Sequence, residues 1–170
     1  MIANKIRPQV NLYWEYKIWL FMEYLLNDII QNIPEFANFT CSRQTDVNLG
    51  NIKDGVLSYH LSSSNRIYNK HYLTNSIQSQ VRLYITVLET PINKDKLYKL
   101  TNLLINLLTE NWNSTNSISN TYNFTVDGTE LKTDLTMNEV VDEPFTKAIR
   151  IENIPNHIVT TFTIKFKIFK

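Results

Sequence analysis

Apolar positions recur at helical spacing from Val10 to Ile33, with no Gly or Pro until Pro34 halts the run. Trp14, Ile18, Phe21 and Leu25 follow one helical face, while Trp19, Met22, Leu26 and Ile30 occupy much of another. A helix apolar on most sides must bury a core face and a second surface, and a subunit interface through Trp19 supplies the second. Glu15, Lys17, Glu23 and Asp28 break the run, leaving it far short of the about 20 apolar residues of a membrane span. No membrane association is expected.

Beyond Pro34 the pattern turns irregular to Asp54, with one short strand expected at Thr45 to Leu49. Val56 to Leu61 alternates as a strand, and Ser62 to Ser79 reads as a polar connecting loop without core periodicity. Val81, Leu83, Ile85 and Val87 alternate with Arg82, Tyr84 and Thr86, which predicts a strand with one buried face. Thr90-Pro91 offers an N-cap and a first helical position, with Asn93 a competing cap. The helix that follows sets Leu97, Leu100, Leu104, Leu107 and Leu108 against Lys99, Asn102, Asn106 and Glu110, and ends near Trp112.

After a small, polar stretch, strands are expected at Tyr122 to Val126, Leu131 to Leu135 and Ala148 to Ile151. The clearest strand is the last, where Phe162, Ile164, Phe166 and Ile168 alternate with Thr161, Thr163, Lys165 and Lys167. The order predicts one α+β domain over residues 1–170. Its architecture is a mostly antiparallel sheet with two helices on one face and an extended hairpin or loop.

Composition changes this picture little. The 170 residues are 43% hydrophobic, enough for a core without staples, and Lys+Arg 17 against Asp+Glu 16 argues against a dedicated nucleic-acid binder. One cysteine, Cys41, cannot form an internal disulfide, and no basic, small-residue-terminated leader opens the chain, so cytoplasmic assembly is expected. Abundant Asn, Ile, Lys and Tyr beside scarce Ala and Gly reflect an AT-rich genome.

Candidate chemistry is sparse. His60, His71 and His157 lack a second ligand at metal spacing, and the three glycines build no phosphate loop. Asp134, Glu139, Asp142 and Glu143 could hold a metal or form an acid–base pair, but a solvated loop before Pro144 explains them better. No enzymatic activity and no cofactor are expected. Arg66, Lys70, His71 and Arg82, interleaved with Tyr68 and Tyr72, form a basic aromatic patch suited to a protein contact or, failing that, to stacked bases.

Lys70-His71-Tyr72, the turn Thr74-Asn75-Ser76, the strand Val81 to Val87 and the helix ending at Trp112 together resemble the tail terminator and minor tail proteins of long-tailed bacteriophages. The long N-terminal helix and the closing strand Thr161 to Phe169 extend the resemblance over about four-fifths of the chain. Asn75 stands where such proteins carry Gly, a substitution a left-handed turn tolerates. The resemblance implies a hexameric ring at the head-proximal end of the tail tube, assembled in the host cytoplasm and carried in the virion. Its partners would be further copies, the tail tube protein and a neck or head-completion protein, with duplex DNA passing the lumen without specific binding. Interface roles would fall to Arg66, Tyr68, Lys70, Tyr72 and Trp19. Another neck, baseplate or adaptor protein is the alternative reading.

Overall fold

Register organises the molecule around one strand, β8 (His157–Phe169), which is paired along both of its edges. This computed structural model describes residues 18–69, 74–109, 121–126, 129–134 and 139–169. The elements are helix α1 (18–32), β1 (Thr40–Arg43), β2 (Val56–Asn69), β3 (Thr74–Leu88), helix α2 (Pro91–Thr109), β4 (Thr121–Val126), β5 (Thr129–Asp134), β6 (Glu139–Val140), β7 (Phe145–Ile149) and β8. One sheet runs β1-β2-β3-β8-β5-β4, with β6 and β7 also paired to β8. Among the described residues only β1 and β2 are parallel; every other pairing is antiparallel.

β3 covers one edge of β8 continuously from Leu88↔His157 to Ser76↔Phe169. The other edge is tiled by three short pieces, β7 at its start, β6 in its middle and β5 at its end. These pieces behave as one interrupted strand running back along β8.

The predicted α+β architecture is what the chain adopts, and the pleat explains how. Leu57 and Tyr59 of β2, Val81, Leu83, Ile85 and Val87 of β3, and Ile158, Phe162 and Ile164 of β8 share one face by register. That face meets both helices in a single buried cluster. α1 contributes Ile18, Phe21, Met22, Leu25, Leu26 and Ile29, a stripe at spacings of three and four. α2 contributes Leu97, Leu100, Leu104 and Leu108, while Leu107 is only half-buried at the margin. Each fully buried leucine of this kind stabilises the fold by about 1.5–3 kcal/mol.

α2 begins as its sequence indicates. Thr90 is the cap, its hydroxyl accepting from the Asn93 backbone N–H at 3.1 Å, and Pro91 is the first helical residue. Asn93 instead donates its side-chain amide to the Leu88 carbonyl, tying the helix start to β3. At the end of α1, Pro34–Phe36 tightens into a 3-10 turn and Asn38 takes a φ of 70°, a conformation Asn tolerates. Phe36 and Phe39 then stack edge to face at 5.5 Å. Gly55 lies directly beneath the Phe39 ring, where a Cβ would overlap it.

Three expectations are corrected. The short strand expected at Thr45 to Leu49 is instead two 3-10 turns, Gln44–Asp46 and Leu49–Asn51, and the strand lies earlier, at Thr40–Arg43. β1 exposes Thr40, half-buries Cys41, Ser42 and Arg43, and is held by backbone pairing to Val56–Tyr59, so it carries no apolar alternation to mark it. The segment Ser62 to Ser79 is no loop: β2 continues to Asn69 and β3 starts at Thr74, paired from Ser63↔Gln80 to Asn69↔Thr74 after an irregularity at Leu61/Ser63. Thr74-Asn75-Ser76 is consequently strand rather than turn, with Asn75 opposite Tyr68. Residues 10–17 of the predicted first helix, Lys70, His71 and Tyr72, Leu135, and the stretch through Trp112 lie outside the described residues.

Candidate protein interface

The groups with chemical potential are spent on structure. Asp142 accepts from the Thr163 backbone N–H at 2.6 Å and from its hydroxyl at 3.2 Å, where the edge of β8 passes from β6 to β7. Glu89 is held by Arg150 at 2.9 Å and Lys94 at 3.5 Å, which locks the start of α2 to the turn before β8. Burial, and then the charge of Glu23, push the Cys41 thiol from 9.0 up to about 12, so it stays protonated and a poor nucleophile at neutral pH. Burial likewise pushes the Tyr59 hydroxyl up to about 12, against a hydrogen bond with Arg43 that acts the other way.

His60 is exposed on β2, whereas His157 is fully buried with neither ring nitrogen hydrogen-bonded. Among the described residues no group of three His, Cys, Asp or Glu side chains could hold a metal ion. None of the described helices is long and apolar enough to cross a membrane. A groove of about 580 Å³ lies between α2 and the turn after α1, lined by Lys96, Lys99, Leu100 and Leu103 against Pro34 and Asp54. Glu35 also lines it, so its charged groups are two carboxylates and two lysines.

The interface residues expected from sequence fall in two places. Arg66 and Tyr68 sit on the outer half of β2, paired with Ile77 and Asn75. Lys70 and Tyr72 are outside the described residues. Trp19 is half-buried against the core, and the Arg43 guanidinium lies 4.3 Å over its ring.

A surface that the sequence reading missed is better defined. β7 pairs with β8 on one side and, among the described residues, has no strand on the other. Four of the six large apolar side chains exposed among the described residues border it: Phe145, Val141, Ile151 and, across the edge on α2, Tyr98. Phe145 is 60% and Tyr98 70% exposed. Between α2 and the edge lies a cavity of about 150 Å³, lined by Lys94, Leu97, Tyr98, Thr146 and Ile158.

The register explains why this edge is two-sided. Thr146 opposite Thr160 faces the helices, whereas Phe145 opposite Thr161 and Lys147 opposite Val159 face away from them. A strand added beside β7 would send alternate side chains into the cavity under Tyr98 and against Phe145, while its backbone completed the ladder. The signal was weak in sequence because Phe145–Ile149 lacks apolar alternation; the strand expected at Ala148 to Ile151 lies three residues earlier at its start and two earlier at its end.

No protein-family model matches the chain, and no curated protein resembles it at a significant level.

Proposed function

We propose that this chain is a virion structural protein that forms a closed ring, terminates a phage tail tube and joins it to the neck. The observation that carries the reading is the open β7 edge with its apolar border of Phe145, Tyr98, Val141 and Ile151. Unpaired edges flanked by apolar side chains are contact surfaces unless the fold blunts them.

Lys147 at the centre of β7 bears on how copies would meet. A twofold pairing of β7 with its own copy, centred on the strand, would set Lys147 against Lys147, a destabilising like-charge pair. That disfavours a symmetric dimer and favours a head-to-tail contact between β7 and a different edge of the next subunit. β1 and β4 are the other sheet ends without a neighbour among the described residues. Head-to-tail contacts close into rings when their rotation permits and otherwise propagate. A ring with distinct faces can seat on a tube end and offer the tube no further copy of its own surface, which is what stopping growth requires.

Negative-stain electron microscopy of the purified chain tests this reading. Annular particles with an axial opening, of uniform subunit number near six, are expected. Open filaments would turn the reading toward another adaptor of a phage-like machine, and monomers at high protein concentration would overturn it.

A further inference from the structure

Two edges of the sheet lie at opposite ends of its helix-covered part, β1 beside α1 and β7 beside α2. Among the described residues neither has a strand on its outer side. Their directions are complementary. β1 runs parallel to β2, β2 antiparallel to β3, β3 antiparallel to β8 and β8 antiparallel to β7, so β1 and β7 run in opposite senses. Copies turned about an axis along the strands keep those senses. β1 of one copy then meets β7 of the next as an antiparallel pair, with all the helices on one side.

The faces fix the register. Cys41 and Arg43, opposite Leu57 and Tyr59, lie on the helix-bearing face, as do Thr146 and Ala148, opposite Thr160 and Ile158. The 4 residues of β1 fit within the 5 of β7 in two antiparallel registers, and one of them sets helix-side residues against helix-free ones. The other pairs Arg43 with Thr146, Ser42 with Lys147, Cys41 with Ala148 and Thr40 with Ile149. Backbone hydrogen bonds are in phase with it. Val141 donates to the Thr163 carbonyl, so alternate residues of β8 from His157 to Thr163 point to this edge, and the Thr146 and Ala148 amides point off β7. Thr40 donates to the Gly55 carbonyl, so the Cys41 and Arg43 amides point off β1.

We propose that β1 of each copy adds to β7 of the next in this register, joining the sheets into one; the inference rests on the ring reading above. Side chains on both faces suit it. On the helix side, half-buried Trp19 lies over Arg43 of β1, and exposed Glu23 is near enough for its charge to act on Cys41. Tyr98 and Lys94 border β7 on that same side. The neighbour's α1 thus gives Tyr98, 70% exposed, an aromatic cover and Lys94 an opposite charge. On the other face, the turn Gln44–Asp46 that follows β1 is held to Ser58 through Gln44, and its extension of the register leads to Phe145.

β4 is the weaker candidate. It is carried by β5, which meets β8 at Ile168 and Phe169, beyond the last core residue Ile164, so it brings no part of the described helix layer to Tyr98. The β1 register also sets Lys147 against Ser42 rather than against another cation. Within one copy Thr40 shares a row with Val56, Thr86, Val159 and Lys147. Pairing the next Thr40 with Ile149 shifts that row by two residues per copy, and a sheet closed on itself carries such a stagger.

The test is disulfide linking in the assembled protein. With Cys41→Ser removing the native thiol, Ser42→Cys and Lys147→Cys would lie opposite each other as a non-hydrogen-bonded pair, about 4.5 Å apart at Cα and within disulfide reach. Oxidation should give a ladder of covalent multimers on a non-reducing gel. The yield should exceed by at least about tenfold that of Ser42→Cys with Ala148→Cys, which point to opposite faces. Hydrogen exchange of the unaltered protein repeats the test without substitution and decides it if the cysteine variants do not assemble. Assembly should slow the Cys41, Arg43, Thr146 and Ala148 amides together, by at least about tenfold. No linked product from the assembled Ser42→Cys, Lys147→Cys protein, equal linking of both pairs, or annular particles in which the β1 amides exchange freely would overturn the β1–β7 contact and leave the ring standing. Absence of annular particles in negative stain would overturn both.

Discussion

The Asp142 carboxylate satisfies both polar donors of Thr163, its backbone N–H at 2.6 Å and its hydroxyl at 3.2 Å. The neighbouring Val141 N–H donates to the Thr163 carbonyl at 3.0 Å. A side chain thus takes the place of a main-chain acceptor where Pro144 separates β6 from β7. Asp142→Ala should cost about 1–3 kcal/mol in urea denaturation, because it leaves the Thr163 N–H without an acceptor. Asp142→Asn, which keeps an oxygen there, should cost less. Equal stability of all three proteins would mean that water replaces the carboxylate.

The two-layer core makes a simpler prediction. Leu104 is 1% exposed at the centre of the α2 face. Leu104→Ala should destabilise by about 2–5 kcal/mol, whereas Asn102→Ala on the exposed side should stay within about 0.5 kcal/mol. A thermal melt unmoved by Leu104→Ala would contradict the packing of α2 on the sheet.

How much of this was legible follows from what holds each element. α2 could be read because Thr90-Pro91 marks its start and the leucines that pack recur at helical spacing. β3 and β8 could be read because one of their faces is apolar throughout the core. The extension of β2 and β3 through Ser63–Asn69 and Thr74–Gln80 could not, since their backbone ladder leaves no mark on a polar run. Asp142 looked like one of a loose group of carboxylates because its partner is 21 residues away in sequence. The β7 edge was hidden for the opposite reason: an unpaired edge depends on which strand is missing, and periodicity reports only the strand itself.

Close approach governs the turn into β2. Gly55 sits under the Phe39 ring, and Phe39 in turn packs on Phe36. Gly55→Ala should destabilise by about 1–3 kcal/mol through overpacking. The double variant Gly55→Ala with Phe39→Leu should recover part of that loss, and a purely additive result in denaturation would remove the ring contact as the cause.

Stability should fall on the alkaline side. Cys41 and Tyr59 keep their protons in the folded state up to about 12, whereas the unfolded chain releases them from about 9.0 and 10.0. The native state therefore binds more protons above pH 9, and the stabilisation present below that pH is lost as pH rises toward 12. Cys41→Ala should flatten the stability profile between pH 9 and 11 without altering it near pH 6–7. An unchanged profile would mean that the thiol is reached by water.

The central claim is that β7 receives a strand from another copy, and hydrogen exchange at Phe145–Ile149 tests it most directly. Every second amide of an edge strand points away from its one neighbour and exchanges freely until a further strand covers it. Exchange should be measured on assembled protein and on Phe145→Asp, a change at an exposed site that charges the edge. The outward amides of β7 should be strongly protected in the assembly and exchange rapidly in the variant, with α2 equally protected in both. Rapid exchange of those amides in assembled protein would contradict the account, because the copies would then be meeting through some other surface.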